Sequence, residues 1–370
     1  MRFYRPTFAE IDLEAIRYNL NIVNQIVGND TKILGVVKAD AYGHGMREVS
    51  RAIIDYVDYF GVASLDEAGV LRGIGIKKPI LVVGAILPGE AEGVLRFNAV
   101  QTVSDISVPK MLSALARRKN RKIKVHVKID TGMGRLGFWH EEAARFVREI
   151  FSLKNIIIDG IFTHFPSAEA DRVFTQGQID NFRALIEELW KRGIDIPVKH
   201  TANSMGLIDF KASHMNMVRP GLMMYGMYPK EALMKNMVLR QALTLKTRIT
   251  YLKKVPKGRG VSYGRTYVTK RPTRIATIPV GYGDGYSRHL SNKGEVLIKG
   301  RRAAIIGRVC MDMCMVDVSR IKNVKVGDEA VLIGRQGNEI IRAEDIARIT
   351  NTIPYEVVCN IGHRVPRVYK

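Results

Sequence analysis

A lysine stands at the carboxyl end of the first buried strand that the sequence predicts. Residues 33–37 form an apolar run that ends at Lys38, and Tyr42 and two glycines then follow in a segment typical of a turn. Partial burial disfavours the charged form of an amine, and a neutral amine can attack a carbonyl carbon. Lys38 is therefore a candidate nucleophile. The alternative is a lysine that simply leaves the core at a strand end.

Several later predicted strands also end in polar or ionisable side chains. In a barrel of parallel strands, the carboxyl ends meet at one face and carry the active site. A purely structural fold needs no such set of side chains at these positions. The sequence therefore predicts an active site built from the following residues: Lys128, Arg135, Thr163, His164, His200, Asn203, Ser204 and Arg219.

Two of these strand ends have features of a phosphate site. Asn203 and Ser204 open a predicted helix, where free N–H groups and a hydroxyl converge. Gly221 and Leu222 follow Arg219 in a turn whose backbone a phosphate could approach closely. The alternatives are a helix cap and an ordinary turn. A phosphate site facing a nucleophilic lysine predicts pyridoxal 5′-phosphate, bound covalently by the lysine amine.

The elements that position these residues alternate regularly over the first 220 residues. Eight short apolar runs are separated by segments of helical spacing, beginning with a helix over 12–27 that Asp12 caps. The predicted strands are 33–38, 58–63, 79–84, 99–103, 123–129, 156–163, 197–201 and 216–219. The predicted helices between them are 46–57, 65–73, 89–96, 107–119, 141–152, 173–193 and 203–208.

This alternation predicts a (β/α)8 barrel of the TIM type in an α/β fold. An open doubly wound sheet is the alternative, but the glycine fingerprint of dinucleotide-binding sheets does not follow the first strand. After residue 240 the segments become short, β-branched and separated by Gly or Pro, which indicates a mainly β domain. We therefore predict a barrel domain over residues 1–240 and a β domain over residues 241–370.

Composition sets further limits on function. The 370 residues have no apolar run of membrane-spanning length and no signal-peptide pattern, so we expect a cytoplasmic protein without a membrane partner. Three cysteines are too few for a disulfide framework. Cys310 and Cys314 have no second pair to complete a zinc site, so we expect no metal.

The net charge of +22 is unevenly distributed. Residues 241–370 carry 25 Lys and Arg against 10 Asp and Glu, and no acidic residue lies between Arg240 and Gly283. Nucleic-acid binding is one interpretation of such a surface. The chain has no basic helix or RNA-binding signature, and the cations are scattered among predicted strands. We therefore favour a solvated basic surface and expect no nucleic-acid partner.

The ordered motifs closely resemble those of the bacterial alanine racemases, over essentially the whole chain. The segment at residues 36–45, VVKADAYGHG, resembles the cofactor-lysine motif of that family. Further matching segments lie in both predicted domains, at residues 126–137, 200–204, 218–221, 261–264, 280–286, 307–313 and 364–367. The resemblance implies a homodimer that binds pyridoxal 5′-phosphate and interconverts L-alanine and D-alanine, which supplies D-alanine for peptidoglycan.

The resemblance also implies a role for each matching residue. Lys38 binds the cofactor, Arg219 faces its ring nitrogen, and His164 lies near its ring. Arg135 and the backbone of Met311 hold the substrate carboxylate. The cofactor phosphate is surrounded by Tyr42, Ser204, Gly221, Leu222 and Tyr355. In supporting positions, Lys128 carries a carbamate that orients Arg135, and Tyr282 and Asp312 restrict substrate size at the entrance.

The chemistry of racemisation fits these roles. A proton must leave one face of the substrate Cα and another must reach the opposite face, so two acid/base groups are needed. The resemblance implies Lys38 for D-alanine and Tyr263, from the second subunit, for L-alanine. Arg219 can only donate a hydrogen bond to the ring nitrogen, because its guanidinium has no acceptor.

Three rival functions remain at this point. A decarboxylase of the same architecture would need an acidic partner at the ring nitrogen, where this chain has Arg219. A racemase for serine or lysine would differ only in pocket volume, which the sequence does not determine. A non-catalytic carrier of the cofactor is typically a barrel alone, whereas this chain adds a β domain with Tyr263.

Overall fold

An eight-stranded parallel barrel forms the larger part of the computed structural model, which describes residues 4–235 and 237–370. Its strands are Lys32–Val36, Tyr59–Val62, Ile80–Val82, Val100–Val103, Ile123–Asp130, Ile156–Phe162, Val198–His200 and Met217–Val218. Parallel ladders join neighbouring strands from Met217–Val218 around to Val198–His200. Two bonds close the remaining gap, from Asn216 N to the carbonyl of Lys199 and from Arg219 N to that of Ala202. The predicted (β/α)8 barrel is confirmed.

Helices cover the outside of the barrel, and the first of them is capped by Asp12, as the sequence predicts. Asp12 Oδ1 accepts the N–H of Ala15 at 2.9 Å, and the same helix buries Ile16 and Leu20. The helices of this part of the chain are Leu13–Val27, Lys38–Gly43, Met46–Ala52, Leu65–Gly73, Ala91–Arg96, Ser107–Arg118, Ala143–Phe151, Arg172–Lys191 and Ser204–Asp209.

The helix predicted over 46–57 is shorter than expected. It ends at Ala52, because the backbone of Ile53 leaves the helical region with φ −106° and ψ 6°. A single 3-10 turn, Ile54–Tyr56, follows before the next barrel strand. The prediction for this element was therefore wrong at its carboxyl end.

The interior of the barrel changes character along its axis. One layer is apolar, and its buried members are Leu34, Tyr59, Leu81, Val100, Val198 and Met217. Toward the carboxyl ends of the strands, the buried side chains become polar and include His126, Lys128, His200 and Arg219. Because barrel interiors are commonly filled by branched apolar residues, this polar layer marks the functional end of the fold.

A mainly β domain follows the barrel and contains several small sheets. The chain changes partners near Ile249, so Leu243–Arg248 pairs with Glu329–Gln336 and Tyr251–Val255 pairs with Thr273–Ile278. The strands of this domain are Leu243–Arg248, Tyr251–Val255, Gly260–Val261, Tyr267–Val268, Thr273–Ile278, Glu295–Ile298, Arg301–Ala304, Cys314–Asp317, Glu329–Gln336, Glu339–Ile341 and Arg367–Tyr369. Its helices are Ala343–Thr350 and Pro354–Cys359.

The strand Phe8–Ile11, which the sequence analysis did not predict, belongs to the largest sheet of the β domain. It pairs antiparallel with Leu243–Arg248 and parallel with Arg367–Tyr369. Ion pairs from Glu10 to Lys246 and Lys370 reinforce both edges. The chain therefore contributes to the β sheet before it enters the barrel.

The strand Phe138–Trp139 pairs with the end of Ile123–Asp130 at the barrel rim. Among the described residues, no helix is both long and apolar enough to cross a membrane.

Candidate active site

A left-handed turn follows Lys38 directly. The four residues from Ala39 to Tyr42 have φ between 52° and 54°, which costs an L-residue about 1 to 2 kcal/mol each. Two carboxylates hold the turn: Glu67 Oε1 accepts the N–H of Ala39 at 2.7 Å, and Asp40 Oδ1 accepts that of Met46 at 2.8 Å. This backbone places Lys38 and Tyr42 at the same end of the barrel.

Lys38 is only partly exposed, and the Arg135 guanidinium lies near it. Burial lowers the pKa of Lys38, and the nearby Arg135 guanidinium lowers it further. Both effects favour the neutral amine that a nucleophile or base needs. The structure thus supports the chemical reasoning that singled out this residue.

The predicted phosphate site is a cradle of hydroxyl and backbone groups. Ser204 Oγ accepts the N–H of Gly221 at 3.1 Å and that of Met223 at 3.4 Å. The rings of Tyr42 and Tyr355 lie 5.5 Å apart beside it. A Cβ added at Gly221 would lie 2.7 Å from the Tyr42 hydroxyl, so any side chain at 221 would fill the cradle.

Two other residues predicted for this site have different positions. Leu222 is buried and begins the 3-10 turn Leu222–Tyr225 next to the cradle. Asn203 caps the short helix after it, since its Oδ1 accepts the N–H of Gly206 at 2.9 Å. The helix-cap alternative therefore describes the Asn203 side chain.

Arg219 is held by a nearly complete set of acceptors. Its Nη1 donates to His200 Nδ1 at 2.9 Å, and its Nη2 donates to the carbonyls of Thr163 and Thr201 at 2.8 and 2.9 Å. His164 Nδ1 lies 3.4 Å from the same Nη2. Across residues 4–235 and 237–370, nothing accepts from the Nε–H, which leaves this donor for a ligand.

Arg219 also remains a cation at neutral pH. Burial, with the positive charge of Arg135 nearby, lowers the pKa of Arg219 to about 9. A guanidinium fixed in this way can donate a hydrogen bond but cannot accept one. A ligand nitrogen in front of it must therefore present a lone pair.

Lys128 is a buried amine without an ionic partner. Its Nζ lies 3.3 Å from the carbonyl of Ile129 and 4.9 Å from the centre of the Phe162 ring. In the part of the chain that the structure describes, no carboxylate lies within ion-pair distance of it. Burial, and then the charge of Arg219, lowers the pKa of Lys128 well below its ordinary value.

Arg135 is positioned by an aspartate at the end of the same strand as Lys128. Asp130 accepts the N–H groups of Gly132, Met133 and Arg135 at 2.8, 2.7 and 3.2 Å. These bonds fold the loop that carries Arg135. Its charge acts on Lys38 and Arg219, so the guanidinium belongs to the same end of the barrel.

The remaining predicted site residues lie together on the β domain. The N–H of Tyr282 donates to the carbonyl of Cys310 at 3.0 Å, and Arg364 donates to Asp312 at 2.7 Å. The hydroxyl of Ser262, next to Tyr263, donates to the carbonyl of Arg308 at 2.7 Å. Three of these side chains are well exposed, namely Tyr263 (71%), Met311 (52%) and Tyr282 (43%).

Comparison with known proteins now decides the family. The model of the alanine racemase N-terminal domain matches residues 11–229, and that of the C-terminal domain matches residues 242–369. The chain belongs to the alanine racemase family. It is 50% identical to the alanine racemase of Halothermothrix orenii over 371 residues, which cover 100% of this chain and 98% of that protein.

Solved structures of alanine racemases have the same fold. The alanine racemase of Clostridium difficile 630 superposes with a TM-score of 0.93 at 40% identity, covering 100% of this chain and 97% of that one. The enzyme of Bartonella henselae, solved with covalently bound pyridoxal phosphate, gives 0.89 at 28% identity and covers 99% of each chain. Alanine racemases are isomerases that depend on pyridoxal phosphate, so this chain is an enzyme of that class.

In this alanine racemase fold, two residues near the site escaped the sequence analysis. The Tyr225 ring packs 5.0 Å from that of Tyr42, and its hydroxyl donates to the carbonyl of Val36 at 2.9 Å. His126 lies behind His200, with 2.8 Å between His126 Nδ1 and His200 Nε2. A histidine between two valines of a barrel strand was the available signal for His126, whereas the sequence around Tyr225 gave none.

Proposed function

We propose that this chain interconverts L-alanine and D-alanine with pyridoxal 5′-phosphate bound at Lys38, acting in the cytoplasm to supply D-alanine for peptidoglycan. One observation carries the proposal. A low-pKa lysine amine, a glycine-lined hydroxyl cradle and a guanidinium with a free Nε–H all lie at the carboxyl end of one barrel. Membership of the alanine racemase family supports the choice of reaction.

The residues present fit the cofactor. The Lys38 amine would hold its aldehyde carbon, and Ser204, Gly221, Tyr42 and Tyr355 would hold its phosphate. When bound, the cofactor supplies an electron sink for the carbon from which the proton leaves. The free Nε–H of Arg219 would donate a hydrogen bond to the ring nitrogen. A decarboxylase would instead place an acidic side chain at that nitrogen.

Lys38 would act as the acid/base group on one face of the substrate. The same causes that lower its pKa favour the neutral form of the amine. A neutral lysine accepts a proton from the substrate Cα, and the charged form returns one. The family resemblance assigns this group to D-alanine.

Tyr263 would act on the opposite face from a second copy of the chain. Its side chain is 71% exposed on the β domain, where water would compete with any proton transfer. If the barrel of a partner covered this surface, it would exclude water from the Tyr263 phenol, and the tyrosine would complete the partner's site. The guanidinium of Arg308 lies beside Gly264, the residue that follows Tyr263.

The substrate carboxylate would be bound by Arg135 and by the backbone of Met311. A carbamate on Lys128 would give Arg135 an anionic partner and would remove the cost of burying an unpaired amine. The neutral amine that burial produces is the form that reacts with carbon dioxide. Tyr282 and Asp312 would narrow the entrance and favour a side chain as small as that of alanine.

The test is incubation of the cofactor-loaded protein with single L-amino acids, followed by chiral chromatography. We expect L-alanine to become racemic faster than L-serine or L-lysine. Racemisation of serine or lysine with alanine left optically pure would replace the proposal with its closest rival. Release of amines instead of D-amino acids would indicate a decarboxylase.

A further inference from the structure

A line of four buried side chains runs from Arg219 into the barrel, away from the cradle. Arg219 Nη1 lies 2.9 Å from His200 Nδ1, and His200 Nε2 lies 2.8 Å from His126 Nδ1. His126 Nε2 then faces Asp159 Oδ2 at 3.5 Å, a close contact longer than a formed hydrogen bond, and this buried nitrogen has no hydrogen-bond partner among the described residues. All four are at most 7% exposed. We refer to Arg219, His200, His126 and Asp159 together as the relay.

Chemistry fixes the direction of every proton in the relay. A guanidinium only donates, so His200 Nδ1 must be bare and its Nε2 must carry the ring proton. His126 Nδ1 must then accept from that Nε2–H, which leaves the His126 proton on Nε2, facing the carboxylate. Burial, the largest effect on both rings, lowers the pKa of His126 and of His200, so each ring keeps a single proton.

Packing holds the two rings in this arrangement. A Cβ added at Gly160 would lie 2.5 to 2.7 Å from atoms of the His126 ring, so only glycine leaves room for it. Phe162 stacks on His200 with ring centres 4.7 Å apart and planes 5° from parallel. Neither ring can turn over to exchange its nitrogens without moving a strand of the barrel.

Asp159 is kept ionised at the far end of the relay. Burial alone would raise its pKa, but the close contact with His126 and the hydrogen bonds from Lys124 and Tyr59 hold the pKa of this carboxyl well below its usual range. Lys124 Nζ lies 2.7 Å from Oδ1, and the Tyr59 hydroxyl donates to Oδ2 at 2.9 Å. The relay therefore ends on a group that can only accept a hydrogen bond.

We propose that Asp159 is a positioning residue that stabilises the tautomers of His126 and His200 that Arg219 requires, and thereby keeps Arg219 oriented toward its ligand. Without an acceptor facing His126 Nε2, each ring could carry its proton on Nδ1 instead. His200 would then present an Nδ1–H to the N–H of Arg219. Two opposed donors repel, so the guanidinium would turn away from the barrel mouth. The inference rests on the proposed function only where it assigns that ligand to the ring nitrogen of the cofactor.

The tautomers can be measured directly by nitrogen NMR of the histidine rings in the cofactor-free protein. We expect the wild-type chain to have a bare Nδ1 and a protonated Nε2 on both His126 and His200, with resonances assigned through His126→Gln and His200→Gln. In Asp159→Leu we expect His200 to populate the Nδ1-protonated form. A protonated Nδ1 on wild-type His200, or unchanged tautomers in Asp159→Leu, would overturn the proposal.

Two further variants separate the acceptor from the charge. Asp159→Asn retains an oxygen that can face His126, so we expect it to keep the wild-type tautomers. Tyr59→Phe removes another hydrogen bond to the same carboxylate oxygen but leaves the acceptor, and we expect the same result. If Asp159→Asn behaves like Asp159→Leu, the charge and not the tautomer matters, and the proposal is wrong.

Cofactor affinity and steady-state kinetics measure the effect of Asp159→Leu on function. We expect Asp159→Leu to weaken cofactor binding and to lower kcat, each by about tenfold or more, with KM unchanged because the residue touches no substrate. A rise in KM alone would contradict the proposal. Because the NMR result needs neither cofactor nor turnover, failure to racemise alanine would defeat the proposed function without deciding the relay.

A second route is available if Asp159→Leu does not fold. Gly160→Ala leaves every charge in place but drives a methyl group into the His126 ring. We expect this variant to break the His126–His200 bond and to produce the same change at His200 Nδ1. An unchanged His200 in folded Gly160→Ala would overturn the proposal as well.

Discussion

Four cationic side chains, namely Lys38, Lys128, Arg135 and Arg219, lie at one end of the barrel. Arg135 adds to the effect of burial in lowering the pKa values of Lys38 and Arg219, and Arg219 does the same for Lys128. Such a cluster is costly unless anions join it. A phosphate, a substrate carboxylate and a carbamate on Lys128 are three anions that would do so. The individual residues therefore describe a site that is stable when loaded.

The clearance at Gly221 leads to the first prediction. Gly221→Ala places a methyl group 2.7 Å from the Tyr42 hydroxyl, and overpacking of this kind costs about 1 to 3 kcal/mol. We expect cofactor binding to weaken by about tenfold to a hundredfold, measured by titrating the cofactor-free protein. The control is Gly177→Ala, on an exposed helical face with open space around it, which should keep wild-type affinity. Equal affinities would show that the cradle does not hold the phosphate.

The unpaired amine of Lys128 leads to a prediction about stability. In carbonate-free buffer we expect Lys128→Met to be more stable than the wild-type chain by about 1 kcal/mol or more, although turnover is lost. Because the folded pKa is depressed, the unfolded chain binds the extra proton, and the gap should narrow as the pH rises toward 10.5.

Added bicarbonate should then stabilise the wild-type chain and leave Lys128→Met unchanged, since only the lysine can form a carbamate. Thermal unfolding of both proteins with and without bicarbonate measures the difference. A wild-type melting temperature that does not respond to bicarbonate would count against the carbamate.

At the scale of elements, the turn after Lys38 joins the two domains at the site. Its Gly43 packs so closely on the helix Pro354–Cys359 that an added Cβ would lie 2.4 Å from the carbonyl of Val358. That helix carries Tyr355, which meets Tyr42 over the cradle. The strained backbone of Ala39 to Tyr42 is thus held by contacts on both sides.

This strain is measurable by a glycine substitution. Ala39 has a φ of 52°, where glycine has no steric penalty, so Ala39→Gly should be neutral or stabilising. The control is Ala114→Gly on an exposed position of an ordinary helix, which should destabilise by about 1 kcal/mol. Denaturant unfolding of both variants gives the comparison. Equal destabilisation would mean that residue 39 is not left-handed.

Much of this arrangement of elements can be predicted from the sequence, because short apolar runs and helical spacing are local signals. The eight barrel strands and the cap at Asp12 are of this kind. The strand Phe8–Ile11 has only four residues, and its partners lie more than 230 residues away. The left-handed turn is imposed by contacts with Glu67 and Val358, which no local pattern records.

The same limit applies to the candidate site. Residues in motifs at strand ends, such as Lys38 and Arg219, could be predicted because their position in the fold follows from the alternation. Asp159 could not, because its part in the relay depends on the absence of a side chain at Gly160 and on the stacking of Phe162. These are facts of packing between strands.

At the scale of the whole molecule, the candidate residues divide into two groups. One surrounds the barrel end, and the other, with Tyr263 and Met311, is exposed on the β domain. A dimer in which each β domain covers the partner's barrel would bring the groups together. The symmetry would then produce two identical sites, each needing both chains.

Mixing two inactive variants tests this arrangement. Lys38→Ala and Tyr263→Phe homodimers should each lack racemisation, because every site misses one acid/base group. Unfolding and refolding them together should restore about a quarter of wild-type activity, since half of the dimers are mixed and one of their two sites is intact. If each chain holds its own complete site, the mixture stays inactive, and the shared-site dimer is wrong.

The pairing of Phe8–Ile11 with Leu243–Arg248 and Arg367–Tyr369 also governs the order of assembly during synthesis. At ribosomal speeds of 5 to 20 residues per second, roughly 20 to 70 seconds separate the first of these strands from the last. The whole barrel emerges within that interval, while the earliest strand waits without its neighbours. The shortness of this strand is then an advantage. Four residues that include the charged Glu10 offer another nascent chain little edge to pair with.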